Sequence, residues 1–229
     1  MCGRFSQTQD PGELAPRFEA RNLVPDWTPR YNIAPTQNAA VVLALAEGRV
    51  LQLMRWGLVP FWARDETIGA KMINARSETL SQKPAFRKLF ERQRCLVVAD
   101  GYYEWRKSGV LKEPFRFVLN SGEPFAMAGL YDRWPLTGLE TFTVITTQAN
   151  ELARSVHDRM PVLLEPSQYA AWLDFKYHDI AALERFLAPF PATRMKCFRV
   201  SPRVNSPRHD DPQCITPLPS QDGFPGFNA

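Results

Sequence analysis

Cysteine is scarce in this chain and badly spaced for staples or metal. The four, Cys2, Cys95, Cys197 and Cys214, form no C-x-x-C pair, and no H-E-x-x-H accompanies them. Neither common pattern of a zinc site is therefore present, and no metal or other cofactor is expected. Histidine is scarcer still, with three copies. No run of about 18 apolar residues occurs, which excludes a readable membrane-spanning helix. No secretory pattern opens the chain, so the expectation is a soluble cytoplasmic protein with reduced thiols. A large charge of one sign is missing too. The formal net charge is +4, too mild to prove a nucleic-acid partner. Lysine is thin: the 28 basic residues are 21 Arg and 7 Lys, and arginine offers the planar fork of donors that suits phosphate. No internal repeat and no linker divides the chain.

What remains is ordinary globular material. Hydrophobic residues make up 45% and charged ones 23% of 229 residues, enough for one domain that buries roughly 70–75% of its unfolded surface without staples. Asp10 and Pro11 open a predicted helix over 11–22, with Leu14 and Phe18 at i, i+4. Residues 30–35 read as a loop. Residues 41–45 and 50–56 read as a hairpin turning at Glu47-Gly48. Helices are further expected over 85–92, 150–156, 167–175 and 178–187. Strands are expected over 94–99, 102–105, 115–119, 125–130, 142–146, 160–164 and 197–200. From Pro202 proline is dense and periodicity ends, so 202–229 reads as an irregular tail. The expected fold is α+β, a single domain over 1–229 around an antiparallel, barrel-like β-sheet with flanking short helices.

The most unusual chemistry lies at Met1-Cys2-Gly3-Arg4-Phe5. The small side chain of Cys2 permits removal of Met1, which would leave an α-amine (pKa about 8) and a thiol (pKa about 8.5) on adjacent carbons. Such a 1,2-aminothiol condenses with an aldehyde, first to an imine and then, by thiol attack, to a five-membered thiazolidine. No internal cysteine can do this. Glu104 stands between Tyr103 and Trp105, where desolvation should raise its pKa toward a proton-exchanging value. Strand alternation puts it on one face with Tyr102. Asn74 ends a predicted strand, where an amide either caps a turn or holds an amine or oxyanion. His157 is flanked by Asp158 and Arg159, whereas His178 and His209 lack such company. Two tryptophans and a phenylalanine surround Gly57 and Pro60 in Arg55–Trp62, either roofing the core or standing exposed.

Several blocks together resemble the SOS response-associated peptidase (SRAP) family. They are Met-Cys-Gly-Arg-Phe at 1–5, Arg-Tyr-Asn-Ile-Ala-Pro at 30–35 and Arg-Trp-Gly-Leu-Val-Pro-Phe-Trp at 55–62. Ile-Asn-Ala-Arg-Ser-Glu-Thr at 73–79, Ala-Asp-Gly-Tyr-Tyr-Glu-Trp at 99–105 and Val-His-Asp-Arg-Met-Pro at 156–161 follow in the same order, as does Val-Ser-Pro-Arg-Val-Asn at 200–205. The resemblance implies an abasic-site sensor for single-stranded DNA and single-to-double-strand junctions. Such a sensor acts in the DNA-damage response and joins its N-terminal cysteine to the ring-opened sugar as a thiazolidine. It implies Cys2 as nucleophile, Asn74 as the group that positions the amine, and Glu104 and His157 as catalytic residues. It also implies Arg4, Arg76 and Arg159 as DNA contacts and Trp62 as a wedge beside the lesion. Ala63 stands where some relatives carry a second aromatic. A monomer, engaged with the nucleoid when on DNA, is expected.

Two rival classes use the same first residues. An N-terminal-nucleophile amidohydrolase of the glutamine amidotransferase type would want an Asn-Gly pair for its oxyanion hole, and that dipeptide is absent. A cysteine peptidase pairing Cys2 with His157, whose substrate is its own Met1, is the other. A peptidase cleaves a peptide bond in trans; a sensor ends attached to DNA.

Overall fold

The computed structural model describes residues 2–108 and 111–219. Met1 and residues 220–229 lie outside the described residues, and with them the expectations placed on Met1 and on the end of the tail. In chain order the strands are β1 (Arg4–Gln7), β2 (Ala20–Asn22), β3 (Arg30–Ile33), β4 (Asn38–Leu45), β5 (Gly48–Trp56), β6 (Asn74–Arg76) and β7 (Arg94–Ala99). There follow β8 (Gly101–Ser108), β9 (Leu111–Leu119), β10 (Phe125–Arg133), β11 (Glu140–Gln148), β12 (Arg159–Pro161), β13 (Leu163–Leu164) and β14 (Met195–Arg199). The helices are short: α1 (Pro11–Arg17), α2 (Pro84–Arg92), α3 (Glu151–Arg154), α4 (Tyr169–Leu173) and α5 (Ile180–Arg185).

The larger sheet runs β12-β11-β10-β7-β4-β5-β2. A second, parallel pairing of β11 with β5, Phe142 opposite Trp56, closes β5, β4, β7, β10 and β11 into a ring. The mixed α+β fold with a barrel-like, mainly antiparallel sheet is thus the observed one; the parallel pairs are β2–β5, β5–β11 and β6–β11. A smaller five-stranded sheet, β14-β9-β8-β1-β3, lies against it.

Period-two alternation decides where each side chain goes. Val41, Val97, Met127, Phe142 and Val144 of the larger sheet share one core cluster with Phe5, Tyr102, Phe115 and Phe117 of the smaller. The alternate residues Val42, Leu96, Val98, Ala128 and Ile145 face the other way. There they meet Leu14 of α1, Phe86, Leu89 and Phe90 of α2, and Trp172 of α4. Every residue of β7 is buried because both its faces are covered.

Two departures from the sequence reading have physical causes, one local and one distant. The helix opened by Asp10, whose side chain accepts the Gly12 N–H, ends at Arg17 rather than 22. Glu19 takes φ 53°, and Ala20–Asn22 then pairs with β5. Residues 30–33, expected as loop, form β3. Strand β1 pairs with them, and the Asp210 carboxylate accepts the Asn32 N–H at 2.8 Å from far along the chain. From Ser201 to Pro219 the backbone forms short 3₁₀ turns that bury Val204 and Cys214 against Tyr103 and Phe198.

Candidate active site

Cys2 precedes a strand that lies between two partners. β1 pairs with β8 (Arg4 opposite Tyr103, Phe5 opposite Tyr102) and with β3 on its other side. The start of the chain is thereby held in the sheet, and Cys2 is 0% exposed. Its thiol donates a long hydrogen bond to the Arg4 carbonyl at 3.8 Å. Burial first, and the neighbouring Glu104 carboxylate second, push the Cys2 thiol well above its ordinary pKa.

Asn74 reaches Cys2 from the other sheet. β6 runs parallel to β11, with Asn74 opposite Val144. The Asn74 Nδ2 donates to the Cys2 carbonyl at 2.8 Å. A carbonyl only accepts, so this bond fixes which end of the amide faces it. The remaining Oδ1 is buried and has no hydrogen-bond partner among the described residues; it is an acceptor left for an N–H.

Glu104 lies on β8, on the Tyr102 face, and is 2% exposed. Burial, the largest cause, raises its pKa to about 7. At neutral pH the group therefore populates both protonation states, as a proton shuttle needs. The Tyr102 hydroxyl beside it is buried and has no hydrogen-bond partner among the described residues.

His157 follows α3, which Asn150 caps by accepting the Ala153 N–H at 2.8 Å. Its main-chain N–H donates to the Ala153 carbonyl, and its Nδ1 accepts the Arg159 N–H at 3.0 Å. The Asp158 carboxylate also approaches Nδ1, at 2.8 Å, but is 85% exposed. The fixed main-chain donor outweighs a solvated carboxylate, so the neutral ring carries its proton on Nε2. Burial, the largest cause, lowers the His157 pKa.

Glu104 and His157 line one cleft of about 520 Å³, together with Gly3, Arg4, Pro35, Trp105, Lys112 and Asn205. Of the expected DNA contacts only Arg4 lines it, and its guanidinium already has protein partners. It donates to Asn32 Oδ1 (2.9 Å) and to the carbonyls of Val204 (2.7 Å) and Asn205 (3.4 Å). Arg76 is exposed and sits opposite Thr146. Arg159 sits opposite Gln148 on β12 and is paired with Glu78 and with the Thr146 carbonyl at 2.7 Å. The two arginines thus flank the same end of β11. Trp62 is not part of the cleft wall. It stands 53% exposed beside Phe61 at 56%, whereas Trp56 of the same block is buried. Their loop is pinned: the Phe61 N–H donates to Asp132 Oδ2 at 2.9 Å, and Trp134 Nε1 donates to the Ala63 carbonyl at 2.8 Å.

Sequence reasoning had no role for Trp105, Lys112 or Asn205. Asn205 closes the 200–205 block, but nothing local says that this segment folds back to the cleft. Among the described residues no group of three or more His, Cys, Asp or Glu is arranged to hold a metal ion. No helix is long and apolar enough to cross a membrane.

The chain is similar to the abasic site processing protein YoqW of Bacillus subtilis, 42% identical over 94% of this chain and 99% of that one. It is 30% identical to the abasic site processing protein HMCES of Xenopus tropicalis, over 95% of this chain and 78% of that one. A crystal structure of a protein from Bacteroides thetaiotaomicron superposes with a TM-score of 0.85 at 29% identity, covering 95% of this chain and all of that one. A second, from Bordetella bronchiseptica, gives 0.74 at 27% identity over 87% of this chain and all of that one. The model of one family, SOS response associated peptidase (SRAP), matches residues 1–207, and the chain belongs to that family.

Proposed function

We propose that this protein processes abasic sites by joining Cys2, once Met1 is removed, to the ring-opened sugar of single-stranded DNA as a thiazolidine. The observation that carries the reading is convergence at the chain start: Asn74 holds the Cys2 carbonyl from one sheet, and Glu104, near pKa 7, lies beside the thiol from the other. Relatives named as abasic site processing proteins support the substrate.

The steps balance without a cofactor. The closed sugar opens as its hemiacetal hydroxyl passes its proton, through water, to the ring oxygen, which His157 Nε2–H meets as a hydrogen-bond donor. The Cys2 amine, with Asn74 Oδ1 accepting one of its N–H groups, adds to the aldehyde carbon to give a carbinolamine. Protonated Glu104 gives its proton to the departing hydroxyl, which leaves as water, and an iminium forms. The Cys2 sulfur then adds to that carbon while the Glu104 carboxylate takes the thiol proton. The iminium loses its positive charge as the ring closes, and Glu104 ends protonated as it began.

A peptidase wants a thiolate, and burial with Glu104 alongside works against one here. A protonated thiol that gives up its proton only as the carbon–sulfur bond forms suits the condensation. The protein would act as a single domain and as a monomer, with Trp62 capping the last stacked base at a junction and Arg76 and Arg159 holding phosphates.

The test is a denaturing gel of the protein with single-stranded DNA carrying one abasic site. A band that survives denaturation is expected, and it should vanish when a residue precedes Cys2, because an acylated amine cannot form the imine. Full crosslinking by protein whose intact mass includes Met1 would refute the proposal.

A further inference from the structure

The 200–205 block delivers a side chain into the cleft whose donors the fold leaves unspent. Arg4 donates to the carbonyls of Val204 and Asn205, fastening this segment beside β1. The side chain of Asn205 is then oriented by its neighbour: Trp105 Nε1 donates to Asn205 Oδ1 at 2.6 Å. An indole N–H can only donate, so the atom it meets is the amide oxygen and the other end of the amide is the NH₂. Among the described residues no hydrogen bond of that Nδ2 is found. Asn205 lines the cleft with Glu104 and His157, and so does the exposed ammonium side chain of Lys112.

We infer that Asn205 is a substrate-positioning residue, and that its amide N–H groups, with Lys112 supplying charge, bind a non-bridging oxygen of a phosphodiester flanking the abasic sugar. The inference rests on the DNA reading above. Several features favour a phosphate. With Oδ1 held by Trp105, the two N–H donors are the end of the amide left unspent. Of the charged groups that line the cleft, Arg4 and Lys112 are positive, and Glu104, the one carboxylate, is about half neutralised near pH 7. The clamp from Trp105 fixes the amide before DNA arrives, so little rotamer freedom remains to be lost on binding. Asn205 would thereby set which sugar sits over the Cys2 thiol, fixing register without reading a base.

The experiment measures binding of single-stranded DNA carrying a tetrahydrofuran abasic analogue, which has no aldehyde. It therefore reads positioning even if the crosslinking proposal fails. Asn205→Asp keeps an oxygen for Trp105 and removes the donors; Asn205→Ala removes the donors without adding charge. Both should weaken binding by about tenfold to a hundredfold, the usual worth of a hydrogen bond to a charged group. Melting temperature should stay near that of the parent. Methylphosphonate substitution, one linkage at a time, should abolish the gap between parent and variants at one flanking phosphate only. On a true abasic strand, the DNA concentration for half-maximal crosslinking should rise more than the limiting rate falls. Unchanged binding by Asn205→Ala, or a gap that no single methylphosphonate removes, would overturn the assignment.

Discussion

Cys2 and Glu104 sit in the packed interior between the two sheets, while Phe61 and Trp62 stand in solvent on the loop after β5. Both regions carry residue types that read as functional, yet water acts on them in opposite ways. In the interior desolvation sets the chemistry: it raises the thiol and brings a glutamate to about 7. On the loop, exposure itself is the useful property, because an aromatic face can stack on a base only if the core has not claimed it. Trp56 shows the alternative. It lies in the same block, but its ring packs 4.9 Å from Phe5 and its Nε1 donates to the Ile73 carbonyl. Gly57 ends β5. It has φ 117°, and a Cβ there would lie 2.6 Å from the Gly69 carbonyl. Only glycine lets the chain leave the strand at that point; Leu58 and Val59 stay buried beyond it, and exposure begins at Phe61.

Substitutions can pull this contrast apart. The largest effect is expected from Cys2→Ala, which should remove the covalent adduct altogether and leave DNA binding within about threefold, since one buried methyl-sized change does not touch the rim. An undiminished adduct on denaturing gels would show that another nucleophile acts.

Glu104→Gln should slow adduct formation by roughly 10²–10⁴-fold, the usual worth of a positioned proton shuttle. The same change should stabilise the fold at alkaline pH. The folded pKa of Glu104 is raised, so its contribution is fully present below the unfolded value near 4.5 and is lost as pH rises through about 7. Gln carries no such penalty. Thermal melts should therefore favour the variant by about 2–3 kcal/mol at pH 8 and by little at pH 4. A variant that is slower and also less stable at pH 8 would mean that Glu104 holds the fold through its charge.

Trp62→Ala should weaken binding and crosslinking at a single-to-double-strand junction by roughly 1–3 kcal/mol, the worth of one base–aromatic stack. On a plain single strand the loss should be smaller. Stability should change by no more than about 0.5 kcal/mol, because the ring is half in water. Equal losses on junction, single strand and duplex would remove its role as a wedge.

The smallest effect belongs to Arg76→Gln. An exposed arginine on a phosphate should lower affinity uniformly across sequences and reduce the slope of log K against log salt by about 0.7 on single strands. An unchanged slope would free Arg76 from phosphate.

Much of the fold could be read from local pattern. The run Arg94–Ala99 is apolar without interruption after its first residue, and it is the strand buried on both faces. Glu47-Gly48 marked a hairpin because glycine tolerates the φ of 120° found there. Asp10 marked a helix start because a short polar side chain caps free N–H groups. β3 was not legible, since its pairing depends on β1 and on Asp210, some 180 residues away. Nor was the parallel pairing of β5 and β6 with β11, because parallel neighbours leave no turn signal. In the site, the residue types of Cys2, Asn74, Glu104 and His157 stood out. The partners of Arg4, which are two carbonyls and an amide, did not.

By itself the sequence determined the reagents: a thiol next to what would become an α-amine, a carboxylate among aromatics, and arginines in place of lysines. These are covalent facts and survive unfolding. Tertiary structure decided their state and their company. Burial between two sheets moved Glu104 to a pKa of about 7, a shift that exists only while water is excluded. Contacts across 72 residues for Asn74 and 201 for Asn205, with His157 in the same cleft, gathered these side chains at the start of the chain. Proximity of that kind depends on the summed packing of every strand, and no window of sequence contains it.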